Sequence, residues 1–352
     1  MLDGPLSHSE IVYWLAETSP AALSHLWHAA DQARLAHVGP AVHLRGLIEI
    51  SNHCARQCAY CGLHAGNTTI PRYRMTLTEI MDCAHRAVRM GYGTVVMQAG
   101  EDYGITGEWM ADLIRQIKSK TNLAVTLSLG ERSDEDLALW KSAGADRYLL
   151  RFETSDRALY DLIHPPLGSR HSDRIEILRQ LRALGYEAGS GIMVGIPGQT
   201  YDSVAKDLLL FRDLDLDMIG IGPFIEHPDT PLGRGERRRA IALAEQAPND
   251  ELMVYKAVAL TRLLCPEANL PATTALATIN QKNGRETGLS RGANVVMPNL
   301  TPVKYRELYQ IYPGKACIGE TAEQCNGCLR GRIARIGRTV GAGPGSRRRQ
   351  PA

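Results

Sequence analysis

Eight short apolar runs, each leading into a turn or a helical pattern, constrain this chain more than any other feature. They lie at Gly46–Ser51, Thr94–Gln98, Leu123–Ser128, Arg147–Phe152, Ala188–Val194, Met218–Gly222, Leu270–Thr274 and Asn294–Met297. Their aliphatic and β-branched composition suits strands covered on both faces of a parallel sheet. Helical periodicity intervenes over residues 76–89, 107–120, 133–143, 172–184, 202–214 and 249–264. Thr76-Leu-Thr-Glu79 is a capping box, and Gly91, Gly144 and Gly185 stand where a helix end takes a left-handed residue. The alternation counts out an α/β fold, a (β/α)8 TIM-type barrel. A doubly wound open sheet would need fewer strands and a glycine fingerprint after the first, which this sequence lacks.

Residues 1–43 read as a helical lead-in, with Ser7 or Ser9 as one cap and Pro20 opening a second helix. The barrel is expected over 44–310 and a cysteine-containing extension over 311–340. The Gly-, Arg- and Pro-rich stretch 341–352 is expected to be a disordered tail, with Arg347-Arg348-Arg349 solvated. A net charge of +2 gives no footprint for nucleic acid or an anionic membrane. No apolar run approaches bilayer length, and the opening residues lack a signal-peptide core.

Six of the 8 cysteines fall in two tight groups, which argues for metal ligation in a reducing cytoplasm over a disulfide scaffold. The first group, Cys54-x3-Cys58-x2-Cys61, follows the first strand, Leu47-Ile-Glu-Ile-Ser51. A structural zinc site takes four closed ligands, and a cluster held wholly by protein takes four thiolates. Three thiols leave one iron of a cluster open; alternatively His53 or His64 completes a zinc site. The second group is Cys317-x7-Cys325-x2-Cys328, a set that could hold an auxiliary iron–sulfur cluster or a structural metal. Cys83 and Cys265 read as buried apolar residues.

Barrel chemistry gathers at the C-terminal ends of strands. Those ends carry Gln98 and Glu101, Thr126, Arg147, Arg151 and Glu153, and Thr273 and Thr274. Guanidinium for carboxylate and glutamate for ammonium suits a small zwitterion. A structural ion network at the barrel rim is the competing reading for Arg147, Arg151 and Glu153.

The triplet, with Tyr60 before its last cysteine, resembles the signature of radical S-adenosylmethionine (SAM) enzymes. Longer stretches resemble one subgroup: Arg72-Tyr-Arg-Met-Thr76, Gln98-Ala-Gly-Glu-Asp102, Met193-Val-Gly-Ile-Pro-Gly-Gln-Thr200, Pro271-Ala-Thr-Thr-Ala275 and Tyr312-Pro-Gly-Lys315. That subgroup is HydE, the FeFe-hydrogenase H-cluster maturases, related to biotin synthase and methylornithine synthase. The resemblance implies a 4Fe–4S cluster on Cys54, Cys58 and Cys61, its open iron chelated by SAM. It implies SAM contacts from Tyr60, Glu101, Glu153 and Arg174, with Arg174 on the SAM carboxylate. The deeper anion-accepting pocket would be lined by Thr126, Arg147, Thr273 and Thr274, with Arg151 and Tyr312 as catalytic candidates. Cys317, Cys325 and Cys328 would hold the second iron–sulfur cluster found in some members. Phe152 stands where a histidine is expected. The implied activity is reductive cleavage of SAM to a 5′-deoxyadenosyl radical in H-cluster assembly. The implied substrate is a small molecule or iron complex, and the implied partners are other maturation proteins and an electron donor. A mutase or sulfur-transfer activity is the alternative.

Overall fold

A computed structural model describes residues 4–169 and 171–348. Two helices lead in, α1 (His8–Ala16) and α2 (Pro20–Val38), followed by β1 (Ala41–Ser51). The alternation then runs α3 (Leu77–Arg89), β2 (Thr94–Ala99), α4 (Gly107–Lys120), β3 (Ala124–Ser128), α5 (Asp134–Ser142) and β4 (Arg147–Leu149). Next come α6 (Arg157–Ile163), α7 (Arg174–Ala183), β5 (Glu187–Val194), α8 (Tyr201–Asp213), β6 (Met218–Pro223) and α9 (Glu251–Leu264). The chain continues with α10 (Thr274–Ile279), α11 (Gly284–Ser290), β7 (Val295–Val296), α12 (Val303–Arg306), α13 (Ala322–Arg335) and β8 (Thr339–Val340).

Ser7 caps α1 through a reciprocal box with Glu10, and Thr76 does the same for α3 with Glu79. These boxes satisfy amide donors that a helix start leaves open. Gly144 and Gly185 end their helices at φ 108° and 83°, where a side chain would be strained.

The strands are parallel in the order β6-β5-β4-β3-β2-β1-β7. Between β6 and β7 the ring is spanned by two parallel bridges, Met218 with Asn269 and Pro271 with Val295. The strand expected at Leu270–Thr274 is therefore reduced to these bridges. Pro271 has no amide hydrogen to give a ladder, and Thr273 is already the N-cap of α10. β4 stops at Leu149, earlier than expected, because the Ser190 hydroxyl takes the place of the ladder. It accepts from the Phe152 amide at 3.2 Å and donates to the Leu150 carbonyl at 2.8 Å, and pairing returns only as a single bridge from Glu153 to Ile192. Outside the ring, α1 packs on α8 and α2 on α9. Among the described residues no helix is long and apolar enough to cross a membrane.

The stretch expected as a disordered tail is, over residues 341–348, the floor of the barrel. β8 pairs with the start of β1. Thr94 Oγ1 and Arg147 Nη2 then donate to the Pro344 carbonyl at 3.0 and 3.2 Å. Arg45 and Asn269 both donate to the Gly345 carbonyl at 3.0 Å. Arg347 pairs with Asp215 at 2.6 Å and reaches Glu267 at 3.4 Å, so it is not solvated. The composition that suggests disorder is offset by carboxylates and guanidinium groups waiting at the strand starts. Residues 349–352 lie outside the described residues.

Candidate functional site

The cysteine triplet occupies the loop after β1, and its three thiols line a cavity of about 320 Å3 inside the upper barrel. Arg72 shapes this loop by donating to the carbonyls of Asn52, Leu63, His64 and Asn67 at 2.5–3.0 Å. Asn52 ties its base to Pro71 and Leu308 through carbonyl oxygens. Gly100 lies so close that a Cβ there would stand 2.3 Å from the His53 carbonyl oxygen and 2.8 Å from Cys54 Cβ. The neighbouring Glu101 amide donates to Cys54 Sγ at 3.4 Å. Burial pushes all three thiols up, Cys61 to about 12, so ionising them calls for a positive centre. His64 is turned to the Asp229 carbonyl at 3.1 Å, and neither His64 nor His53 reaches the cavity wall. The donor set facing the cavity is thus three sulfurs, which fits a cluster with one open iron.

Of the other expected residues, Tyr60, Glu101, Glu153 and Arg174 all line the cavity. So do Thr126, Arg151, Thr273, Thr274 and Tyr312. Arg147 does not. It is the first residue of β4, not the last, and its guanidinium serves Glu187 at 2.7 Å and Ser346 at 2.8 Å on the floor side. The structural reading of Arg147 is the right one, and the expectation that it binds substrate is corrected. Phe152 points away from the cavity and packs on Phe211 at 5.5 Å, so it alters core packing, not the site's charge.

A buried ion chain supports the wall. Arg56 lies between Glu101 at 2.7 Å and Glu131 at 2.6 Å, and Arg174 meets Glu131 at 3.0 Å. Burial works against ionisation of Glu131, but Arg174, Ser172 and Arg56 hold its carboxyl below its usual value. Arg174 also reaches His164 Nε2 at 2.6 Å and the Arg151 carbonyl at 2.7 Å. Burial and then Arg174 push His164 down to about 2, so its ring is neutral and accepts from Arg174. Each nitrogen of Arg174 therefore already has a protein partner, and the Glu101 carboxylate is likewise taken by Arg56 and by Tyr103 at 2.7 Å.

Among the buried polar atoms of the wall that have no hydrogen-bond partner among the described residues are Arg151 Nε, Glu153 Oε2 and Thr126 Oγ1. Arg151 Nη2 and Glu153 Oε2 stand 3.1 Å apart as an ion contact without hydrogen-bond alignment. Buried polar groups are ordinarily satisfied, so this donor, acceptor and hydroxyl fit a bound polar ligand. Deeper in, Lys315 pairs with Glu49, whose other oxygen accepts from Asn299 at 3.0 Å. Glu49 had a signal in the sequence, an acid inside an apolar strand. Arg56 and Glu131 had none beyond their charge.

These features have known counterparts. Residues 48–211 match the family model of the radical SAM superfamily. Over 324 residues, 92% of this chain and 89% of the other, the chain is 47% identical to the FeFe hydrogenase maturase subunit HydE of Thermotoga maritima. The chain belongs to the radical SAM superfamily, and within it to the HydE family. It is a radical SAM enzyme, of a superfamily that uses a 4Fe–4S cluster and SAM. The 3-methylornithine synthase of Methanosarcina acetivorans is 28% identical over 83% of this chain and 79% of that one. The solved structure of methylornithine synthase matches at a TM-score of 0.79 and 22% identity, covering 96% of this chain and 95% of that chain. The structure of HydG, a maturase of the FeFe-hydrogenase, matches at 0.76 and 18% identity, covering 95% and 72%. At such identities these two likenesses speak for the barrel fold.

The second cysteine group of this HydE-family chain is only partly assembled. Cys317, Glu320 and Cys325 bring their ligand atoms within 4.8 Å of one another. Cys328, one turn along α13, is exposed and outside that group. The Cys325 thiol, and beyond it Arg285, draw Cys317 below the usual thiol value.

Proposed function

We propose that this chain cleaves SAM in the barrel cavity in the service of FeFe-hydrogenase H-cluster assembly, in the cytoplasm. The observation that carries this reading is three thiols opening onto a cavity of about 320 Å3 whose wall also carries charged side chains. Cys54, Cys58 and Cys61 would hold the cluster as thiolates. When bound, the reduced cluster and SAM supply an electron and a primary carbon radical. The protein's part is to orient and to exclude water.

Glu153 and Arg151, with their unpartnered atoms, receive the ammonium and carboxylate of a zwitterion beside the cluster. Glu101 contributes its backbone edge, because its carboxylate is committed to Arg56. Arg174 orients Arg151 through the Arg151 carbonyl. Tyr60 lies beside the triplet as a wall for an aromatic ring. Below, Thr126, Thr273, Thr274, Arg151 and Tyr312 surround the substrate. On the wall Arg56 and Arg174 are paired with Glu101 and Glu131, Arg151 with Glu153 and Lys315 with Glu49, while no acid pairs with Arg45 among the described residues, and that remaining positive charge favours an anionic substrate. An iron complex carrying negative charge meets that requirement. Cys317 and Cys325, with Cys328 from α13, are the ligands for a second iron–sulfur centre. An electron donor and the other maturation proteins are the expected partners.

The test is anaerobic reconstitution followed by SAM and dithionite, reading 5′-deoxyadenosine. The wild type should form it and Cys58→Ser should not. In cells lacking their own HydE, the wild type should restore hydrogenase activity. Intact SAM cleavage without that restoration would overturn the maturation role and leave the radical SAM chemistry standing.

A further inference from the structure

Asp207 on α8 is outside the cavity wall, fully buried, and used by nothing described so far. No arginine or lysine pairs with it among the described residues. A buried acid without a counter-ion is expensive, and folds retain one where its hydrogen bonds matter. The shortest of those bonds run to one place. Asp207 Oδ1 accepts from the Ser155 amide at 2.5 Å and the Ser155 hydroxyl at 2.6 Å, with Thr154 Oγ1 at 3.5 Å.

Ser155 and Thr154 directly follow Glu153, which sits in the left-handed region at φ 61°. For a non-glycine residue this conformation costs about 1–2 kcal/mol, and the surroundings must enforce it. The Glu153 amide donates to the Gly191 carbonyl at 3.0 Å, and its carbonyl accepts from Met193 at 3.3 Å. On one side Phe152 is drawn into the core against Phe211, which lies one turn along α8 from Asp207. On the other side Asp207 draws in Ser155. The two anchors on α8 bracket Glu153 and leave its side chain toward the cavity. Gln199 links the same helix start to β5, donating to the Met193 carbonyl at 3.1 Å and to Asp207 Oδ2 at 3.5 Å.

We propose that Asp207 is a positioning residue, holding Glu153 in its left-handed conformation and so setting where the Glu153 carboxylate meets SAM. This rests on the reading of Glu153 as a SAM contact. Burial also raises the Asp207 carboxyl to about 7, as expected for an acid kept for its hydrogen bonds and not for a salt bridge.

The test uses reconstituted enzyme and four variants, Asp207→Ala, Asp207→Asn, Glu153→Ala and the double Asp207→Ala/Glu153→Ala. The readouts are KM for SAM, kcat, iron content, and the change that SAM causes in the electron paramagnetic resonance spectrum of the reduced cluster. Asp207→Ala should raise KM about 10-fold with a smaller effect on kcat, diminish the SAM-induced spectral change, and leave iron content unaltered. Asp207→Asn keeps an oxygen for the Ser155 amide and should restore KM to within about 3-fold of wild type. Glu153→Ala should weaken SAM as much, and the double variant should lose nothing further. Should Asp207→Ala fail to fold, Ser155→Ala removes one of the same bonds and should raise KM about 3-fold. An unchanged KM in the Asp207 and Ser155 variants beside a weakened Glu153→Ala overturns the positioning role alone. An additive double variant also overturns it. A Glu153→Ala enzyme with normal SAM binding overturns the SAM contact, and the positioning role with it.

Discussion

Arg56 Nε and Glu101 Oε1 meet at 2.7 Å with both side chains only 2% exposed, and Arg56 lies within the loop that carries the three thiols, between Cys54 and Cys58. The same guanidinium faces Glu131, so one cation neutralises two buried acids. Arg56→Met should destabilise the protein by about 3–5 kcal/mol, because it leaves the Glu101 carboxylate buried without a counter-ion and Glu131 with Arg174 alone. Denaturant unfolding of the apo-protein measures this.

Cys58 is the most buried thiol of the triplet. Cys58→Ser should abolish the iron–sulfur absorbance and SAM cleavage together. Its far-ultraviolet circular dichroism should stay that of the wild type, since the loop is built by Arg72 and Asn52 and not by the metal.

Gly100→Ala puts a methyl group where the His53 carbonyl and Cys54 Cβ already are. Backbone on one side and a ligand on the other must give way. The expected outcome is a protein that folds but takes up less than about half of the wild-type iron, with melting temperature lowered by a few degrees. Iron analysis after reconstitution decides it.

Asp207 and His164 tune stability in opposite directions. Asp207 is raised to about 7 by burial, with Asp156 adding to the effect, so the folded state keeps a proton that the unfolded chain loses near pH 4. Its contribution is complete below about pH 4 and is lost as pH rises to about 7, at most ~4 kcal/mol. His164 is buried neutral at about 2, so its contribution is present above about pH 6.5 and is lost as pH falls. The stability of the wild type relative to Asp207→Asn should therefore decline between pH 4 and 7. Urea unfolding of both proteins across that range gives the slope.

Arg147→Met should loosen the floor and leave SAM alone. Arg147 is fully buried and holds Glu187, Thr94 and the tail at Pro344 and Ser346. Stability should drop by about 1–3 kcal/mol and residues 341–348 should become sensitive to protease, while KM for SAM stays within about 2-fold. A large rise in KM would return Arg147 to the site.

The barrel was legible because buried parallel strands write themselves as aliphatic runs, and because three thiols in eight positions have few other uses. The seventh strand was not, since Pro271 and the capping Thr273 spoil the ladder in a run whose side chains still look like a strand. Arg147 was misplaced through strand polarity: it lies six positions before Glu153, and the two face opposite mouths of the barrel. The Glu49–Lys315 pair joins residues 266 positions apart, and no local pattern encodes such a meeting. Asp207 looks like any acid on a helix until the fold shows that it faces inward.

The floor has a consequence for how the molecule comes together. Gly345 accepts from Arg45 across 300 positions of chain. Closing a flexible loop of that length costs on the order of 5 kcal/mol in entropy, and the few hydrogen bonds of the floor cannot offset it until the ring between them is already built. Folding is therefore expected to be slow and to seal the lower mouth last. During that interval the interior stays open from below, while the cysteine loop above is already shaped in part by Arg72, which binds carbonyls within 20 positions of itself.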